Sequence, residues 1–136
     1  MNISVSWKSI ILTAAALLIA QTLVGFFEGA FVTSHQESGF RQFLLSSAIS
    51  FLLATAIFWF MVSRQHQRPI LHASMALLIA AIASSALAAL MIVLLGTRFH
   101  PVLVGAEWLV LLLALAAGTS LGRLTGGRSR DHAADA

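Results

Sequence analysis

The sequence predicts an all-α integral membrane protein, a bundle of four transmembrane helices joined by short loops. Hydrophobic residues make up 59% of the 136 residues and charged residues only 10%, whereas a soluble domain carries about 25% charged residues to solvate its surface. The mean hydropathy is +0.92. Four apolar runs of about 20 residues, the length that crosses a bilayer, fill nearly all of the chain. They are too long for barrel strands, which alternate over about ten residues.

The first two spans are predicted at about residues 9–33 and 40–62. Trp7 and Lys8 precede span one as an interfacial anchor and a charge. Its apolar run exceeds the h-region of about 7 to 15 residues in a cleaved signal peptide, so an uncleaved signal anchor fits better. A polar, turn-forming loop at 34–39 separates the two spans. Trp59 marks the far interface of span two.

Spans three and four are predicted at about residues 70–95 and 102–121. Pro69 opens span three because the first helical turn tolerates proline, and Gly96 is a candidate cap at its end. Residues 1–122 thus form one transmembrane domain without a soluble domain. The remainder, 123–136, is small and polar, first basic and then acidic, and is predicted to be a disordered cytoplasmic tail.

The basic residues predict one fixed orientation. Counted around short loops, Lys and Arg mark the cytoplasmic side of a membrane. Six share one side and only Arg41 and Arg98 lie on the other, so both termini are expected in the cytoplasm of a plasma membrane, such as a bacterial inner membrane. The six on the cytoplasmic side are Lys8, Arg64, Arg68, Arg123, Arg128 and Arg130.

Composition and motifs exclude several classes of function. The chain has no cysteine, which excludes disulfides and thiolate metal sites. The pI near 11.2 rests on few charges spread between apolar runs, a pattern that does not favour nucleic acid. A GxSxG pattern occurs once, at Gly118–Gly122, but within an apolar span rather than at a strand-to-helix turn, and no HExxH or phosphate-cradling loop is present. We therefore expect neither an enzyme nor a cofactor.

Small residues recur every four positions in each span, a spacing that lets membrane helices approach closely. The longest such face is in span three. These faces are expected to hold the bundle together, and an alternative is that one of them docks a second protein or a second copy. The candidate packing residues are Gly25, Gly29, Ala76, Ala80, Ser84, Ala88, Ala114 and Gly118, with Gly122, Ser46, Ser50 and Ala54 at the same spacing.

Three polar residues within the spans carry the candidate site. Gln21 and Glu28 lie on one stripe of span one with Gly25 between them. Glu28 and Glu107 are expected at similar depth in the outer leaflet, where a bare carboxylate is unfavourable. Three environments could satisfy these carboxylates. They would be protonated, or they would form ion pairs with Arg41 or Arg98 that close the outer end of the bundle. The third alternative is a water-filled crevice that binds a proton or cation.

A metal site is the weakest of the candidate sites. His35, Glu37 and His100 lie in the same outer layer as the two span carboxylates. None of them has a ligand spacing on one helix that is typical of a metal site. The prediction is therefore that no metal binds.

In size, span number and the Glu28 of span one, the chain is similar to the small multidrug-resistance transporters, a likeness of architecture. It differs in having no tyrosine, an outward Glu28 and a strong charge bias. Three hypotheses follow. The first is a non-enzymatic accessory or assembly subunit whose partners are lipid and another membrane protein or a second copy. The second is a proton- or cation-coupled oligomeric transporter that uses Glu28 and Glu107, and the third a pore-forming lysis protein.

Overall fold

The computed structural model describes residues 7–31, 39–64, 68–96 and 101–134, with side chains except at 28–31, 39, 95, 101, 103 and 126–134. The described chain forms four helices: α1 Trp7–Phe31, α2 Gly39–Arg64, α3 Pro69–Leu95 and α4 Pro101–Ala134. Each contains a stretch long and apolar enough to cross a membrane. The all-helical prediction is confirmed, and the four stretches indicate a multi-pass membrane protein.

Both ends of α3 follow the predicted signals. Pro69 occupies the first turn, where its missing N–H removes no helical hydrogen bond. Gly96 ends the helix in the left-handed region with φ 63°, and its N–H donates to the Ile92 carbonyl at 3.0 Å. Only glycine adopts this conformation routinely, so the residue type explains the end of the helix.

The end of α4 differs from the predicted tail. The helix continues to Ala134, beyond the expected end of span four at Leu121, although its membrane-crossing stretch ends at Thr125. No proline follows Pro101, so nothing in the sequence blocks the helical backbone. The described helix thus extends into residues 123–134, for which the sequence predicts a disordered tail.

The helices alternate in direction and pack in the ring order α1, α3, α4, α2. The interface of α2 with α4 is the most extensive, and α1 and α4 lie on one diagonal, without close backbone approach between their described residues. Lys8 of α1 and Arg64 of α2 border one groove, and Trp59 of α2 meets Thr125 of α4. We call this end of the bundle the basal end.

Two glycines allow the close approach of α2 and α4. A Cβ on Gly118 would lie 2.6 Å from the Phe58 Cβ and 2.7 Å from the Thr55 carbonyl oxygen, and one on Gly122 would lie 2.6 Å from a methyl of Val62. The Trp59 indole N–H donates to the Thr125 hydroxyl at 3.0 Å one turn below. This is the small-residue packing expected where lipid supplies no hydrophobic reason for helices to associate.

The buried core lies in one half of the bundle. We define the basal half as residues 7–18, 50–64, 69–81 and 114–125, and the distal half as 19–31, 39–49, 82–95 and 101–113. Every fully buried side chain in the described ranges belongs to the basal half. Its largest members are Phe58, Ile10 and Leu17. Beyond Ala81, no described side chain of α3 is buried.

Candidate functional site

A small polar cavity lies between α1, α2 and α4, lined by distal-half residues and by Ser50 at the border of the basal half. Two of its lining side chains are span residues singled out from the sequence, Gln21 and Glu107. Five of the eight lining residues are polar, which is uncommon within membrane-crossing helices. The lining residues are Gln21, Val24, Gly25, Ser46, Ser47, Ser50, Glu107 and Val110.

Helical spacing brings each group of lining residues to the cavity. Gln21 and Gly25 are one turn apart on α1, as are Ser46 and Ser50 on α2, and such pairs share a face. Glu107 and Val110, three residues apart, share a face of α4. Because α1 and α4 lie on a diagonal of the bundle, their facing stripes leave a gap, and the serines of α2 close one side of it.

The cavity volume is about 20 Å³. A cavity of roughly 10 to 15 Å³ already admits one water molecule when several polar groups surround it. The space therefore matches a single water, or a cation without its hydration shell, and it is far below the roughly 300 to 1,000 Å³ of pockets that bind small organic ligands.

Two polar side chains that line the cavity, Ser46 and Glu107, are engaged in interactions within the protein. The Ser46 hydroxyl donates to the Phe43 carbonyl at 3.1 Å, a common local bond of serines within helices. Glu107 and Gln42 also take part in polar interactions, although Glu107 is exposed. This part of the molecule is a polar contact region between helices in which one carboxylate is held near the end of its span.

The structure brings together part of the predicted site. Gln21 and Glu107 share the cavity, at the level of Gly25. Glu28 is in α1, seven residues and about 10 Å along the helix from Gln21, and its side chain is outside the described set. Arg41 lies exposed at the start of α2. The other predicted partners and weak metal candidates fall outside the described residues: Arg98, His35, Glu37 and His100.

The serines of α2 are the part of the cavity that sequence reasoning did not assign to it. Ser46 and Ser50 were recognised only as members of a small face, and Ser47 was not singled out. A signal was present, because three serines at positions i, i+1 and i+4 place a polar patch on one side of an otherwise apolar span. Within the described ranges, no group of three or more His, Asp or Glu side chains is arranged to hold a metal ion.

A second surface of interest is the distal face of α3, which we define as residues 82–94. It exposes large apolar side chains, among them Leu90 and Val93, and between them the small residues Ser85, Ala86 and Ala89, which are also exposed. The Ser84 hydroxyl donates to the Ala81 carbonyl at 3.0 Å. These small residues therefore face outward over about one turn, and no other described helix covers them.

The predicted packing residues divide between the two halves. Ala76, Ala80 and Ala114 are buried in the basal core, with Gly118 at the closest helix contact. Ser84 and Ala88 are half-buried. A Cβ on Gly25 would have no atom within 4 Å, so this glycine makes no close helix contact within the chain. The surroundings of Gly29 in α1 lie outside the described set.

Compared with protein-family models, with curated proteins and with solved structures, the chain gives no match.

Proposed function

We propose that the protein is a non-enzymatic accessory or assembly subunit that packs against a larger membrane protein, and that the distal face of α3 is its docking surface. The observation that carries the proposal is the outward exposure of Ser85, Ala86 and Ala89 on this face. Lipid-facing positions need only large apolar side chains, whereas small residues favour helix contacts.

The asymmetric core supports the same proposal. The basal half has buried contacts from all four helices, which hold the chain together. The distal part of α3 has no buried side chain among those described, so it contributes little to the stability of the isolated bundle. A partner helix that covers it would bury small residues at close range, which is the arrangement that stabilises membrane helix pairs.

The test is a native-level extraction of the C-terminally tagged protein in mild detergent, followed by a native gel and mass spectrometry of the co-migrating bands. A stable larger partner is expected. Ser85→Leu and Ala89→Leu add bulk to the proposed surface and should remove that partner while the amount of folded protein stays unchanged.

The matched control is Ser74→Leu, which makes the same change as Ser85→Leu at an exposed serine of the same helix in the basal half. This variant should keep the partner. If the wild-type protein migrates alone or as a small oligomer, or if Ser74→Leu loses the partner equally, docking through the distal face of α3 is wrong.

The second candidate function is proton- or cation-coupled transport by an oligomer. The cavity favours it, because Gln21, three serines and Glu107 surround a space that holds about one water or a bare cation. It ranks second because this space admits no organic substrate and Glu107 is already engaged in a polar interaction.

Proton and cation flux into proteoliposomes tests the transport hypothesis. If transport is the function, Glu107→Gln and Glu28→Gln abolish flux without loss of folded protein. A flux equal to that of the wild type in both variants excludes it. A pore-forming lysis protein would instead be toxic on induction, which a growth curve detects.

We also propose that the basal end faces the cytoplasm of a plasma membrane, such as a bacterial inner membrane. Four of the five basic side chains that the structure describes lie at this end, Lys8, Arg64, Arg68 and Arg123, while Arg41 lies at the other. Lys and Arg accumulate on the cytoplasmic side.

Single cysteines test this orientation, and they are specific reporters because the chain has no cysteine. Gln65→Cys should resist a membrane-impermeant maleimide in intact cells, whereas Ser38→Cys should react.

A further inference from the structure

A long groove runs between α1 and α2 at the basal end. We call it the basal groove, and its volume is about 690 Å³. Its walls are mainly apolar, and its open end carries two cationic side chains. The lining residues are Lys8, Ser9, Leu12, Thr13, Ala16, Leu53, Ala56, Ile57, Trp59, Phe60, Met61 and Arg64.

We infer that the basal groove binds one molecule of an anionic phospholipid, with the phosphate at Lys8 and Arg64 and an acyl chain along the apolar walls. Its volume is within the roughly 300 to 1,000 Å³ of pockets that hold amphiphiles and drug-sized ligands. The inference uses only the fold and its membrane-crossing helices, and it does not rest on the proposed accessory role.

The dimensions of the groove match one leaflet. Arg64 and Leu53 bound it along α2, and eleven residues of helix span about 16 Å at 1.5 Å per residue. Half of a hydrocarbon core of about 30 Å is about 15 Å. A lipid seated with its headgroup at the cations would therefore extend its acyl chain along the whole groove.

The charges at the open end are arranged for a phosphate. The guanidinium carbon of Arg64 lies over the Phe60 ring, 4.2 Å from its centre, in a cation–π contact that holds the charge beside the groove. Arg64 remains exposed, so its N–H groups are accessible to phosphate oxygens, which a guanidinium binds well. The one carboxylate among the described side chains, that of Glu107, lies in the distal half and does not compete at this end.

The rest of the groove offers few competing polar groups. The Thr13 hydroxyl donates to the Ser9 carbonyl at 2.8 Å, and the Trp59 indole N–H donates to Thr125 on α4. Both groups are thus satisfied within the protein. What remains for a ligand is the Ser9 hydroxyl and a mainly apolar wall below two cations, which is complementary to an acidic headgroup with an acyl chain and unfavourable for a soluble polyanion.

The test measures lipid binding to the delipidated full-length protein in mild detergent by native mass spectrometry. Phosphatidylglycerol and phosphatidylcholine with identical acyl chains are the probes. One phosphatidylglycerol should bind in preference to phosphatidylcholine. Because one cation near a membrane surface contributes about fivefold to affinity for anionic lipid, Lys8→Gln with Arg64→Gln should lower phosphatidylglycerol affinity about 25-fold.

Three controls separate the groove from general surface charge. Arg123→Gln removes a cation at the same end outside the groove and should change affinity less than twofold. Lys8→Arg with Arg64→Lys keeps both charges and should retain the preference. Ala56→Phe fills the groove and should weaken binding of both lipids, with far-UV circular dichroism confirming helical content in each variant.

Several outcomes would overturn the inference. They are the absence of a preference in the wild-type protein, an equal loss in Arg123→Gln, and unchanged phosphatidylglycerol binding after both cations are removed. Glycerol phosphate distinguishes the lipid from a free phosphate. If it competes as well as the intact lipid, or if Ala56→Phe has no effect, the acyl chain does not occupy the groove and the proposed lipid site is wrong.

Discussion

The basal and distal halves of the bundle have the same kinds of residues but use them differently. In the basal half, glycines and alanines lie inside helix interfaces, such as Gly118 against Phe58 and the fully buried Ala114. In the distal half, Ala89 is exposed and Gly25 has open space beside it. The comparison teaches that a small-residue pattern in a membrane helix does not itself identify a folding contact.

The difference also separates stability from candidate function. Buried packing in the basal half gives the chain its fold, and packing in membrane proteins depends on van der Waals contact. The distal half instead holds the polar cavity, the carboxylate of Glu107 and the uncovered face of α3. Substitutions of buried residues in the basal half should therefore affect unfolding, whereas substitutions in the distal half should affect the binding of a partner or a cation.

The largest expected effect is that of Gly118→Leu. The new side chain would meet the backbone carbonyl of Thr55 and the Cβ of Phe58, neither of which can move without separating α2 from α4. Overpacking typically costs about 1 to 3 kcal/mol, and here we expect at least the upper value or a misassembled bundle. Unfolding in mixed detergent and SDS micelles, followed by far-UV circular dichroism, measures it.

Gly25→Leu is the matched control in the distal half. It adds the same side chain to a membrane-helix glycine where a Cβ meets no atom within 4 Å, and glycine is itself a poor helix former by about 1 kcal/mol. Its unfolding midpoint should equal or exceed that of the wild type. A similar destabilisation in both variants would contradict the assignment of the closest helix contact to the basal half.

The second effect, somewhat smaller, is that of Phe58→Ala. Phe58 is fully buried, and in soluble proteins such a truncation costs about 3 to 5 kcal/mol. Because lipid is as apolar as a protein core, only the lost packing counts here, so we expect about 2 to 3 kcal/mol in the same micelle titration.

Phe26→Ala tests the opposite half with the same chemical change. Phe26 is 71% exposed and packs edge-on against Phe27, an aromatic contact worth about 0.5 to 1.5 kcal/mol. The decrease in the free energy of unfolding should be smaller than that caused by Phe58→Ala. Equal losses would mean that the isolated bundle is as tightly packed in its distal half as in its basal half.

The sequence predicted the helices well because length and hydropathy alone specify membrane-crossing segments. Pro69 and Gly96 also set the ends of α3 by local backbone chemistry. The predicted end of span four at Leu121 falls short of the described end of α4 at Ala134, because hydropathy marks the membrane-crossing stretch and not the end of the helix. Composition does not exclude a helix that has already begun and meets no proline.

The candidate site was predictable only in part. Gln21 and Glu107 stood out because polar groups are rare in spans, but their common cavity depends on α1 and α4 lying on a diagonal. Helix order around a bundle is a tertiary property that periodicity within one helix does not encode. The same reason explains why Gly118 and Gly25, alike in sequence pattern, differ in the structure.

A third and smaller effect concerns the polar link at the basal end. The Trp59 indole donates to Thr125 at 3.0 Å, and Trp59→Phe removes the donor while keeping most of the ring. A single hydrogen bond contributes about 0.5 to 1.5 kcal/mol. A double-mutant cycle with Thr125→Val isolates it, and a coupling energy near zero would show that the α2 and α4 ends associate through packing alone.

The smallest effects are expected at the two ends of α3, which share one backbone conformation but carry different residues. Gly96, at the distal end, has φ 63°, and Arg68, at the basal end, has φ 47°. Side chains other than glycine are strained in this region by about 1 to 2 kcal/mol. Gly96→Ala should therefore destabilise the fold by about 1 kcal/mol, and Arg68→Gly should stabilise it by a similar or smaller amount.

Arg68→Ala separates backbone strain from charge at the basal end. It removes the same cation as Arg68→Gly but keeps a Cβ in the left-handed region, so it should give no stabilisation in the micelle titration. The Arg68 carbonyl accepts the His72 backbone N–H at 3.3 Å, and neither substitution alters that bond. If glycine and alanine raise the stability equally, the charge of Arg68 is what destabilises the wild type. If glycine alone raises it, the destabilising feature is the backbone strain at the start of α3.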